Sequence, residues 1–200
     1  MSTNTKGPAI VLAADNNYAL AMGVVIQSIL DHVKGARPRF YLLADGISCE
    51  NRGRVERLVA RSCTPASLEW LDPELGEVAD LRLIKGRHIS RAAFLRLLIP
   101  ALLQSREQRV IYLDCDVLVR GDLEPLWNTD LAGLPLAAVR DFLVTSIGHG
   151  EGIRRYRALN IDPNLPYFQG RLKVRHKGAG AAMLVPVLSG LLPSIGPAFC

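Results

Sequence analysis

The sequence lacks the arrangements that several function classes require. Its four cysteines (Cys49, Cys63, Cys115 and Cys200) lie far apart, and none stands in a CxxC or Cys/His spacing. That excludes a zinc module and a disulfide scaffold, and reduced thiols in the cytosol are expected. No GxxxxGK[ST] loop is present, so a P-loop is excluded, and Gly148-His-Gly-Glu-Gly152 and Gly178-Ala-Gly180 lack the dinucleotide-binding spacing after a first strand. Without a GxSxG element, a nucleophile-elbow hydrolase has no footing. The four histidines (His32, His88, His149 and His176) share no ligand spacing. Aromatic residues make up 6% of the chain and are not interleaved with a basic stripe, so nucleic acid is not an expected partner. The opening residues, MSTNTKGPA, contain no apolar core of a signal peptide.

Acidic residues are missing from one part of the chain. Residues 1–162 hold all 19 acids and 20 of the 24 bases, whereas 163–200 hold Arg171, Lys173, Arg175 and Lys177 and no acid. The formal charge of +5 therefore belongs almost wholly to the tail, and the body is near neutral. Residues 178–200 are uncharged, but Pro186, Pro193 and Pro197 interrupt them, so no transmembrane span is expected. At 200 residues the body is long enough to bury a core without covalent staples.

Short apolar runs alternate with helical periodicity. Ala9–Ala14, Arg39–Ala44, Ser67–Leu71, Val110–Leu113 and Leu136–Arg140 read as strands. Between the first two, Tyr18, Met22, Val25, Ile26, Ile29 and Val33 recur at helical spacing, with Asn16 or Asn17 placed to cap. Ser48 is placed to cap a helix carrying Val55, Leu58 and Val59, and Ser90 one that runs to about Pro100. The alternation predicts an α/β protein with a mostly parallel sheet, whose ligands gather beyond the carboxyl ends of the strands. The polar residues at those ends are Asp15–Asn17, Asp45, Asp114–Asp116 and Asp141.

Asp114-Cys115-Asp116 is the sharpest of these. Two carboxylates at i and i+2, where a strand stops, can converge on one hard cation, and Mg²⁺ or Mn²⁺ often binds through one or two carboxylates plus substrate phosphates. Arg96 is the second feature. Its neighbours three and four residues away are Ala92, Ala93, Ile99 and Pro100, so no helical ion pair is available and its partner is an anionic ligand or an aspartate from elsewhere.

Three blocks, IVLAADNNYALAMGVVIQSIL, HISRAAFLRLLIPALL and VIYLDCDVLVRGDLEPLWNTDL, resemble glycosyltransferase family 8 over residues 9–168. The likeness is greatest to the bacterial lipopolysaccharide galactosyl- and glucosyltransferases, with glycogenin more distant. The resemblance implies a GT-A type nucleotide-diphospho-sugar transferase fold, a Rossmann-like parallel sheet flanked by helices. It implies transfer of a hexose from UDP-galactose or UDP-glucose, with retention, to a glycan or glycolipid acceptor such as lipopolysaccharide core. It also implies a cytoplasmic protein, with peripheral contact at the inner face of the membrane compatible with that acceptor.

Carried over residue by residue, the tripeptide Asp114-Cys115-Asp116 binds the cofactor, with Asp114 and Asp116 as ligands of Mn²⁺ (or Mg²⁺) on the UDP diphosphate. Ala13, Asp15 and Asn17 line the uridine, and Arg96 holds the donor. Asp141 lies beside the transferred sugar and the acceptor, and His88 is on the acceptor side. The resemblance weakens after Phe168. The expected Asn-Ala-Gly strand is absent, with only a loose echo at Gly178–Val185, and so are the family's DQD-like element and late HxxGxxKPW motif. The expected organisation is therefore a C-terminally truncated nucleotide-sugar-binding domain, 1–168, followed by an atypical tail, 169–200, basic and then Gly/Pro-rich, read out of frame or degraded. The alternatives are a nucleotide-sugar-binding remnant without activity and, from another enzyme class, a nucleotidyltransferase.

Overall fold

The computed structural model describes residues 7–74, 91–132, 137–141 and 143–168, together with the backbone of 182–186. Its elements run β1 (Ala9–Asp15), a 3₁₀ turn (Asn16–Tyr18), α1 (Ala19–His32), β2 (Arg39–Asp45), α2 (Cys49–Arg61) and β3 (Ser67–Leu71). A 3₁₀ segment (Arg91–Leu98) leads into α3 (Ile99–Leu103), followed by β4 (Arg109–Leu113), α4 (Glu124–Trp127), β5 (Ala137–Ala138) and β6 (Ala182–Pro186).

One sheet takes the order β3-β2-β1-β4-β6-β5. The first four strands are parallel neighbours, and β6 inserts antiparallel to both β4 and β5. The near-continuous apolar runs are explained by burial of the central strands on both faces. Ile10, Leu12, Ala14, Phe40, Leu42, Ala44, Ile111 and Leu113 pack with α1 on one face. Their alternates Ala9, Val11, Tyr41, Leu43, Val110 and Tyr112 pack against Ala92, Leu95, Ile99 and Leu103 on the other.

Four expectations from sequence change. Asp15, not Asn16 or Asn17, is the N-cap: its Oδ1 accepts the Asn17 and Tyr18 backbone N–H groups at 2.9 and 3.2 Å. Asp is as good a cap as Asn, and the last strand residue already has the extended backbone a cap needs (ψ 179°). The helix expected to run to about Pro100 is a 3₁₀ segment through Leu98, with α-helix only from Ile99 to Leu103; Ser90, its expected cap, lies outside the described residues. Three residues per turn set Ala92, Leu95 and Leu98 in one row, and the first two are buried against the sheet. The fifth strand is reduced to Ala137–Ala138, with Arg140 bridging Phe168 instead of continuing the ladder. Finally, the echo at Gly178–Val185 coincides with β6, placed between β4 and β5. Ser48 caps α2 as expected, accepting from the Asn51 N–H at 3.3 Å.

Candidate functional site

The carboxyl ends of β1, β2 and β4 meet at one edge of the sheet. Asp15 and Asp45 are register partners there, and Gly46 (φ 70°) takes the left-handed turn that lets the chain leave β2 immediately after Asp45. The Asn16 side chain joins β1 to the start of α2. Its Oδ1 accepts from the Ser48 N–H and the Asn51 Nδ2, each at 2.9 Å. Asn17 is exposed beside it, and Ala13 is partly open one turn of pleat earlier. The Arg91 guanidinium lies 3.4 Å from the Asp45 carboxylate, tying the 3₁₀ segment to the same edge.

Asp114 follows β4 directly. Strand alternation puts it on the Tyr112 face, the face covered by the 3₁₀ segment. Arg96 Nη2 is 3.1 Å from Asp114 Oδ1, and each side chain is 17% exposed. The Tyr112 hydroxyl donates to the same oxygen at 3.0 Å. Arg96 also stacks over the Tyr112 ring, 4.7 Å from its centroid, and its Nε donates to the Ala93 carbonyl at 2.7 Å. The latter bond follows from the 3₁₀ geometry, which sets residue i+3 above residue i. The expected partner of Arg96 from outside its helix is thus Asp114.

Cys115 turns to the opposite face and is buried, with its thiol on the Ala13 carbonyl at 3.3 Å. Burial first, and the Asp114 charge second, push that thiol up to about 12. It is an inert fastening between β1 and β4, not a nucleophile. Asp116 is exposed, yet its carboxyl sits above the ordinary carboxylate value, through lost hydration first and the neighbouring Asp114 charge second.

Asp141 stands apart: no hydrogen bond or ion pair links it to Asp114 or Arg96. It is 8% exposed, and its Oδ1 accepts the Leu143 and Val144 N–H groups at 2.6 and 2.8 Å. Its Oδ2 is buried with no hydrogen-bond partner among the described residues. His88 lies outside the described residues. His149 accepts the Glu151 N–H within its own turn. Sequence reasoning missed Tyr112 and Arg91. The i, i+2 relation of Tyr112 to Asp114 was the available signal for the first, and nothing local pointed to the second.

The donor set suits a hard divalent cation only in part. Asp114 and Asp116 supply carboxylate oxygens, and the resistance of Asp116 to ionisation is what a nearby cation would relieve. Among the described residues no group of three or more His, Cys, Asp or Glu could enclose an ion. Two carboxylates match the mode in which the ion's remaining ligands are water and a substrate's phosphates. The described residues include no helix long and apolar enough to cross a membrane.

Comparison with known proteins places this arrangement. The model of "Glycosyl transferase family 8" matches residues 9–175. General stress protein A of Bacillus subtilis is 31% identical over 167 residues, which cover 82% of this chain and 54% of that protein. Glycosyltransferase GlyF of Streptococcus pneumoniae is 33% identical over 133 residues, 66% of this chain and 31% of that one. The crystal structure of galactosyltransferase LgtC in complex with donor and acceptor sugar analogs superposes with a TM-score of 0.70 at 31% identity, covering 90% of this chain and 58% of LgtC. The chain thus spans about half the length of general stress protein A. The sheet and its flanking helices are the GT-A fold of those structural neighbours, and the chain belongs to glycosyl transferase family 8.

Proposed function

We propose that the chain binds a UDP-hexose, UDP-galactose or UDP-glucose, with a divalent cation at Asp114 and Asp116, and transfers the hexose with retention to a glycan acceptor. The observation that carries this reading is the Arg96–Asp114–Tyr112 cluster at the end of β4 with Asp116 beside it. It sets fixed positive charge next to a pair of carboxylates suited to one metal ion. Membership of the family and the likeness to a galactosyltransferase solved with donor and acceptor sugar analogs support the substrate class.

Each residue has a part that its surroundings suit. Asp15 and Asn17, at the mouth of β1, offer polar edges for a uracil, and Ala13 leaves room for a flat ring. The Asp15 Oδ1 is already engaged in capping, so Oδ2 and the Asn17 amide remain for the base. Arg96 supplies charge that grows in value as negative charge develops on a departing diphosphate. Asp114 and Asp116 would hold Mn²⁺ or Mg²⁺, which when bound neutralises the diphosphate and acts as a Lewis acid. The buried Asp141 Oδ2 is an acceptor without a donor, suited to a sugar hydroxyl of the transferred hexose or the acceptor. His88 is proposed for the acceptor side. A glycolipid acceptor such as lipopolysaccharide core would place the protein at the inner face of the membrane.

With Asp114 paired to Arg96, the three groups Arg96, Asp114 and Asp116 carry a net charge of −1. A lone divalent cation is weakly held by such a set, and a diphosphate strengthens it, so metal and nucleotide should bind cooperatively. The test is UDP release from UDP-galactose and UDP-glucose in the presence of Mn²⁺, with EDTA and Asp114→Ala as controls. Mn²⁺-dependent release lost in Asp114→Ala is expected. Binding of UDP with Mn²⁺ but no release would reduce the protein to a nucleotide-sugar-binding one, and no binding at all would refute the reading.

A further inference from the structure

We infer that Tyr112 is a positioning residue for the metal–diphosphate site, holding the Asp114 carboxylate by its hydroxyl and Arg96 by its ring. This rests on the donor-binding reading above and adds a residue to it. Tyr112 is 4% exposed and lies two residues before Asp114 on the same face of β4. Its phenol therefore needs a hydrogen-bond partner inside the protein. The partner is Asp114 Oδ1 at 3.0 Å, the same oxygen that Arg96 Nη2 approaches at 3.1 Å. With both donors on Oδ1, the carboxylate has one orientation and its Oδ2 remains for a cation. The ring meanwhile forms the floor under the guanidinium, 4.7 Å from Cζ to the ring centroid. A long, flexible arginine held on three sides, by ring, carboxylate and the Ala93 carbonyl, has little rotamer freedom left to lose when an anion arrives. Burial, the leading cause, keeps the phenol well above its ordinary titration range, so it stays a donor to Asp114 throughout the working range of pH.

Two substitutions separate the two contacts. Tyr112→Phe keeps the ring and removes the hydroxyl, whereas Tyr112→Leu removes both. Calorimetric UDP titrations of the full chain at a series of Mn²⁺ concentrations, and in EDTA, are the measurement. For Tyr112→Phe the half-saturating Mn²⁺ should rise about tenfold, the scale of one hydrogen bond to a charged group. UDP affinity in EDTA and at saturating Mn²⁺ should match the parent, because the ring still holds Arg96. Tyr112→Leu should also lose affinity at saturating Mn²⁺. A purely structural tyrosine would lower the melting temperature without moving the Mn²⁺ half-saturation, and that result in Tyr112→Phe overturns the inference alone. A parent chain in which Mn²⁺ does not assist UDP binding overturns the donor reading, and the role of Tyr112 with it.

Discussion

Arg96→Met isolates the ion pair on which the site geometry depends. Methionine keeps most of the apolar length of arginine, so the loss is chiefly electrostatic. Three contacts disappear: the 3.1 Å approach to Asp114, the 2.7 Å bond to the Ala93 carbonyl and the stack on Tyr112. An exposed pair would contribute about 0–1 kcal/mol. Removing one partner of a fully buried pair costs about 3–5 kcal/mol. Both side chains here are 17% exposed, which places the pair between these limits. A loss of about 2 kcal/mol is therefore expected, the stacking contribution of about 0.5–1 kcal/mol included. For a chain of this size it corresponds to a fall in melting temperature of about 4–8 °C. The assay is urea and thermal unfolding in EDTA, followed by UDP titration with Mn²⁺. UDP affinity should fall together with stability, because the same guanidinium faces the diphosphate. Unchanged unfolding, within about 0.5 kcal/mol, would show that the pair does not hold Asp114 and would refute the reasoning.

Two further substitutions probe opposite edges of the sheet. The Asp116 carboxyl is raised in the fold, so the native state holds its proton more tightly than the unfolded chain. Stability should fall as pH rises from the ordinary aspartate value of 3.8 through the raised one. Asp116→Asn should therefore be more stable than the parent at pH 7 in EDTA, with the gain vanishing below about pH 4, while Mn²⁺-assisted UDP binding is lost. At the other edge, Glu107 is 8% exposed and accepts Arg39 through both oxygens at 2.8 Å and the Tyr41 hydroxyl at 2.7 Å. Glu107→Gln should cost about 3 kcal/mol in urea unfolding, yet leave UDP affinity as it was.

Much of this was legible in the sequence because burial on both faces writes strands as continuous apolar runs, and β1, β2, β3 and β4 were read within a residue or two. The same logic exposed Arg96. A guanidinium among apolar neighbours needs a counter-charge, and the structure supplies Asp114. The 3₁₀ segment was not legible, since Ala92, Leu95 and Ile99 satisfy periods of three and of 3.6 alike, and only packing on the sheet separates them. The Asp15 cap was missed because residues 15 to 17 all have cap-forming side chains. Tyr112 read as one more core aromatic until its hydroxyl was seen on Asp114. The orphan Oδ2 of Asp141 depends on a turn of 141–144 that is closed by the strand from 163 to 168, a non-local contact. Of the calls on function, membership of the family and the GT-A fold are established, while the roles given to Ala13, Asp15, Asn17, His88, Arg96, Asp114, Cys115, Asp116 and Asp141 stand as proposals.

The central claim is that Asp114 and Asp116 make a metal-assisted diphosphate site. Isothermal titration of UDP into the parent chain, Asp114→Ala and Asp116→Ala, each with Mn²⁺ and with EDTA, tests it most directly. Mn²⁺ should tighten UDP binding at least tenfold in the parent and leave it unchanged in both variants. Equal UDP affinity with and without Mn²⁺ in the parent, or an undiminished Mn²⁺ effect in the variants, would contradict it.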